Sequence, residues 1–164
     1  MRYLMRQKWL SWTDSFEIED EQGQPAFTVQ GAIFSWGNQL TIRDATGSEV
    51  AEVKQVVFSW GQNYEVYRGG ALWARVNKEW FTLFKARFAI DVPGPDDLEA
   101  EGDFFDHEYE FRRGTRVVAR VSKKWFSWTD AYGVEVLPGA DPLLIIASTV
   151  VIDCVGHDKR SQND

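Results

Sequence analysis

The chain has little cysteine. Cys154 stands alone in 164 residues, so no disulfide can close within the chain. That suits a reducing compartment, and the cytoplasm is the default expectation. Histidine is also scarce: His107 and His157 are far apart in sequence. With one cysteine they make no metal-ligand spacing, so neither a zinc site nor any other metal site is expected. Positive charge is in the minority, with 18 Lys and Arg against 25 Asp and Glu and a formal net charge of −7. Phosphate backbones and anionic lipid surfaces attract basic patches, so this balance counts against nucleic acid and against broad electrostatic membrane binding. No run of about 20 apolar residues exists, so no ordinary transmembrane helix is expected. The opening "MRYLMRQKWLSW" lacks the apolar core of a signal peptide. There is no G-x-S-x-G, no Cys/His pair near a pocket and no Gly-rich phosphate loop. The expectation is a chain without a catalytic constellation or cofactor, and not an enzyme.

What the chain does have is aromatic residues, 15% of the whole with eight Trp, and a repeat. Ten-residue blocks align without gaps: "YLMRQKWLSW" from Tyr3, "FTVQGAIFSW" from Phe27, "AEVKQVVFSW" from Ala51, "ARVNKEWFTL" from Ala74 and "ARVSKKWFSW" from Ala119. The wide gap before the last block holds a degraded copy, "DDLEAEGDFF" from Asp96. A fixed period in the twenties signals a repeat architecture. After each block two apolar residues stand two apart: Phe16/Ile18, Leu40/Ile42, Tyr64/Val66, Phe88/Ile90, Tyr109/Phe111 and Tyr132/Val134. That is strand spacing, with both side chains on one face. Ala51/Val53, Ala74/Val76 and Ala119/Val121 share a face in the same way, with Glu52, Arg75 and Arg120 opposite. Turn signals separate the units, as in "EQGQP", "ATGS", "GG", "PGPDD" and "RGT". The chain therefore reads as a meander of about twelve short strands.

Such a meander can form a sandwich or a barrel, and the regular period favours closure, which removes exposed edges. A barrel of about eight strands is already filled by its own side chains, and diameter grows with strand number. A wider barrel with small inward residues such as Ala51, Ala74 and Ala119 needs a plug. The sequence supplies one: between Pro142 and Val155 the only charge is Asp153. Asp141 then Pro142 is a good helix start, and Gly156 is a good stop. Fourteen helical residues would span about 21 Å, and a helix apolar all round must be buried all round. The β-branched residues in this segment argue instead for strand.

The A-x-V-x-K-x-[WIV]-F-S-W blocks, the Y-x-V strands that follow and the C-terminal "DPLLIIASTVVID" resemble the LURP-one-related family. That family belongs to the tubby C-terminal-like superfamily, together with phospholipid scramblases. The resemblance covers residues 1–156. It implies a mainly β fold: a closed antiparallel barrel of about twelve strands around a central C-terminal helix at residues 142–155, with a polar tail at 157–164. It also implies a binding role. LURP-one-related members in plants are linked to defence, tubby domains hold phosphoinositide headgroups with basic residues of the barrel wall, and scramblases are associated with membranes and calcium. No tubby headgroup motif carries over residue by residue. Also missing are a D-x-D-x-D-G calcium loop and the Pro- and Cys-rich segment that precedes the scramblase barrel.

Four features compete as sites. Trp12, Trp36, Trp60 and Trp128, with Leu83 at the fourth position, could form a lipid-facing rim. A residue that recurs with the repeat more simply serves its packing. Arg112, Arg113, Arg116, Arg120, Lys123 and Lys124 form the densest positive stretch. They are the binding candidates, for an acidic partner or a phosphorylated headgroup; the plainer reading is a solvated wall paired with Glu108, Glu110 and their neighbours. The acidic stretch "DDLEAEGDFFDHEYE" reads first as an outer wall. Asp153, if buried, needs a partner, either an inward Arg or backbone amides, unless it lies near the helix end and reaches water. The expected function is non-enzymatic binding of an unknown protein partner or a phospholipid headgroup through the outer wall. The protein would act as a monomer, cytoplasmic or peripheral to a membrane. The alternatives are a phosphoinositide-binding or scramblase-like membrane protein and a scaffold without a small ligand.

Overall fold

The computed structural model describes residues 1–10, 13–34, 37–57, 61–82, 85–125 and 131–160. The strands are β1 (Arg2–Leu10), β2 (Thr13–Glu19), β3 (Pro25–Phe34), β4 (Gly37–Asp44), β5 (Glu49–Gln55), β6 (Asn63–Arg68), β7 (Ala71–Thr82), β8 (Lys85–Asp91), β9 (Leu98–Asp103), β10 (Glu108–Arg113), β11 (Arg116–Ser122) and β12 (Ala131–Val136). A single helix, α1 (Pro142–Arg160), follows. Each strand pairs antiparallel with its sequence neighbour, and β1 pairs with β12 from Arg2↔Glu135 to Arg6↔Ala131, which closes the barrel. This is the mainly β, closed twelve-stranded barrel with a C-terminal helix that the repeat led one to expect.

Alternation decides which residues face inward. Every one of the paired positions, from Phe16/Ile18 round to Tyr132/Val134, is buried, as are Ala51/Val53, Ala74/Val76 and Ala119/Val121. The helix occupies the lumen. Residues 143–155 are buried without interruption, so no face of that stretch meets solvent. Asp141 caps the helix, its Oδ1 accepting from the Leu143 amide at 2.9 Å. The tertiary environment overrides the strand preference of the β-branched residues, because a backbone in a dry lumen must satisfy its own hydrogen bonds. The helix runs past the expected stop at Gly156, and the described residues are helical as far as Arg160. Gly156 keeps ordinary negative-φ backbone and nothing crowds it. Carrying a helix through glycine costs only about 1 kcal/mol, which the buried turns before it sustain.

The meander gives the barrel two ends. The turns leading from even to odd strands lie at the end where α1 enters. The odd strands run toward the far end, toward which α1 also runs, and the described turn there is 104–107, between β9 and β10. At the entry end β6 and β7 are joined by Gly69 and Gly70, both at positive φ (57° and 78°), with Arg68 paired to Ala71. That two-residue turn matches the right-handed twist of its strands.

One regularity is invisible in the sequence pattern. The ladders shift register just after Ile18, Ile42, Val66 and Phe111. In each case the partner strand carries one extra residue: Ala26, Val50, Trp73 or Val118. All are apolar; Val118 is buried and the other three pack partly buried against the core. A bulge adds twist and re-aims a side chain. Here it turns four apolar residues over the entry end of the core.

Candidate functional site

The Ser-Trp corners at Trp12, Trp36, Trp60, Leu83 and Trp128 lie outside the described residues. The six candidate cations are described, and they do not form one patch. Arg112, Arg113 and Arg116 sit near the entry end, Arg120 stands midway, and Lys123 and Lys124 follow β11 at the far end. Arg116 and Ser122 are roughly 20 Å apart along the strand at its ordinary rise.

At the entry end the guanidinium groups clasp the segment between β12 and α1. Arg116 Nη2 donates to the Pro138 carbonyl at 2.9 Å. Arg113 Nη1 donates to the Gly139 carbonyl at 3.2 Å and its Nη2 lies 3.6 Å from Asp96. Arg68 joins them, bridging to the helix cap Asp141 at 3.2 Å while lying over the Trp73 ring.

Midway, the candidates form part of a charge ladder on the outer wall. Arg112 Nη2 meets Glu110 at 2.7 Å, and Arg120 Nε meets the other oxygen of Glu110 at 3.1 Å. Arg120 Nη1 lies 3.7 Å from Glu135, whose other oxygen is 3.0 Å from Arg2 Nη2. The ladder thus runs from β10 across β11 and β12 to β1, over the closure seam. Arg2 was not among the candidates, because only closure brings it beside Glu135. At the far end Lys124 Nζ is 3.8 Å from Glu108 and its side chain is 82% exposed, so it stands largely in water. The Lys123 amide donates to Glu108 at 3.1 Å. Ser122, at the end of β11, is buried under Glu108, to which its hydroxyl donates at 2.9 and 3.0 Å.

The second constellation lies at the far end, inside the barrel mouth. Asp153 is buried, and its partners are neither an arginine, nor backbone amides, nor open water. His107 Nε2 lies 3.1 Å from one carboxylate oxygen, and the Tyr132 hydroxyl donates to the other. His107 stacks on Tyr132 with ring centroids 4.3 Å apart. Burial, and after it the Asp153 charge, pushes the Tyr109 and Tyr132 hydroxyls well above the usual tyrosine range. Beside Tyr109, the Thr149 hydroxyl acts weakly in the opposite direction. Among the described residues no cluster of three or more His, Cys, Asp or Glu is placed to hold a metal ion. No described helix is long and apolar enough to cross a membrane.

The comparisons with known proteins agree with this architecture. The family model described as LURP-one-related matches residues 1–153. The chain belongs to the LURP-one-related family. Among solved structures, the X-ray structure of an Arabidopsis thaliana protein superposes with a TM-score of 0.68 at 18% identity, covering 94% of this chain and 91% of that one. At that identity the likeness is one of fold. No curated protein matches the chain. For this LURP-one-related barrel, the family and the fold stand on the same residues that set the repeat.

Proposed function

We propose that the chain is a non-enzymatic binding module that engages a protein partner through the outer wall around β10, β11, β12 and β1. The observation that carries this reading is the filled lumen. Residues 143–155 occupy it and are buried on every side, so recognition falls to the outside. The ladder Arg112–Glu110–Arg120–Glu135–Arg2 supports a protein partner in particular. Alternating charges held in fixed register suit a surface that matches them sign for sign. An anionic headgroup would have to displace carboxylates from most of these arginines. A lipid headgroup is the second reading, favoured by exposed Lys124 and its neighbour Lys123. The module would act as a monomer in a reducing compartment, consistent with a single cysteine that can close no disulfide within the chain.

The test is charge reversal at Arg116 and Arg120 together, read in two assays. Affinity capture should lose a specific protein partner with the variant and keep it with the wild type. Co-sedimentation with phosphoinositide vesicles at low salt, where electrostatic attraction is strongest, should leave the wild type in the supernatant. Sedimentation that charge reversal abolishes would turn the assignment to lipid.

A further inference from the structure

The turn that carries His107 covers a buried carboxylate and is held there against opposing costs. His107 adopts φ 52°, the one non-glycine positive φ among the described residues, a region that side chains enter at some expense. Its Nδ1 is buried with no hydrogen-bond partner, a further cost. Against these stand the contact of Nε2 with Asp153 at 3.1 Å and the stack on Tyr132. A contact opposed by local strain is poised to open, and a change of charge can decide it.

We propose that His107 is a proton-operated latch on the core helix. Protonated, it sets a cation against the Asp153 carboxylate and holds the C-terminal part of α1 in the barrel mouth. Neutral, it keeps one hydrogen bond, and the turn at residues 104–107 swings out so that water reaches the carboxylate.

Histidine is the side-chain type whose ordinary charge change falls near neutral pH, and each element packed on His107 presents its own groups. From α1, Asp153, Cys154 and Thr149 face the site; from β12, Tyr132; from β10, Tyr109. The two tyrosines keep their protons far above neutrality. Glu108, next in the chain, is engaged with Ser122 and the Lys123 amide. Asp103, in the same hairpin, accepts from the amides of Phe105 and Asp106, and Asp106 lies beside it in that turn. The His107 side chain is 18% exposed against 3% for Asp153, so it is the member of the pair nearer the barrel mouth's surface.

Hydrogen exchange resolved by NMR tests the latch. Protection factors for the amides of residues 150–155, corrected for the intrinsic pH dependence of exchange, should be severalfold higher at about pH 5.5 than at about pH 8. Those of the central residues of β4 and β5 should stay level. His107→Asn keeps a residue tolerant of positive φ but removes the imidazole, and its profile should be flat. Asp153→Asn should flatten it too. A flat wild-type profile, protection that falls toward low pH, or a slope that survives either substitution overturns the proposal. Should Asp153→Asn not fold, His107→Asn decides it alone.

Discussion

Asp153 shows how one residue can be conspicuous in the sequence while its role is not. Its charge stands out in an apolar segment, but its partners lie 46 and 21 residues away, in a turn and in β12. No spacing rule links them; only the closed barrel does. The tyrosines around it carry a testable consequence. Burial keeps Tyr109 and Tyr132 protonated in the folded state to higher pH than in the unfolded chain, where a tyrosine loses its proton near pH ~10. Below that value both states are neutral and the contribution to stability is complete. Above it the unfolded chain binds fewer protons, so stability falls as pH rises toward the folded-state value. Each tyrosine can contribute up to about 1.4 kcal/mol per pH unit to that slope. Urea unfolding followed from about pH 9 to about pH 11 should therefore show steep loss for the wild type and a shallower loss for Tyr109→Phe. Equal slopes would mean that Tyr109 is not titrating in the unfolded state alone.

The elements were legible to different degrees. Period-two alternation placed the paired inward residues correctly because most strands have one wet and one dry face; β12, buried on both faces from Ala131 to Val134, and the ends of β11 depart from it. The helix start was legible because Asp141 and Pro142 act locally. Its end was not, because Gly156 stops a helix only when its backbone turns left-handed, and here it does not. The bulges left no signal, since Ala26, Val50, Trp73 and Val118 share no side-chain type. The small inward residues have a clearer reading now. Among the strands, α1 packs most closely on β5, β7 and β12. Ala51 and Ala74, both buried, lie on the first two. Small side chains there let the helix approach the wall. Ala74→Leu should overpack that contact and destabilise by about 1–3 kcal/mol, measured as a shift in the urea midpoint. The outward neighbour, in Arg75→Gln, should stay within about 0.5 kcal/mol of the wild type. A tolerated leucine at position 74 would mean that the lumen has slack the burial pattern does not show.

Across the molecule, the repeated heptapeptides "KWLSWTD" at Lys8–Asp14 and "KWFSWTD" at Lys124–Asp130 gain a structural setting. They belong to the first and last units, and those units meet where β1 pairs with β12. Residues 126–130 lie outside the described set, so it is the strands and not the corners that place the seam. The candidate cations could be named from the sequence but not arranged. Their run along the chain becomes a run along the wall, and the ladder over the seam needs Arg2 from the opposite end of the chain. That same dependence makes closure testable. The seam is the longest-range pairing in the fold, and its loss would leave β2 and β12 with unpaired backbone groups, the template for edge-to-edge association. It would also uncover Met5, which is fully buried against the helix side of β1. Deleting residues 1–10 should therefore abolish a single cooperative urea transition and produce concentration-dependent oligomers by light scattering. A deletion variant that stayed monomeric and unfolded in one transition at the wild-type midpoint would show that the remaining strands hold the helix by themselves. In that case the continuity of the closed sheet would not be what keeps the helix in the lumen.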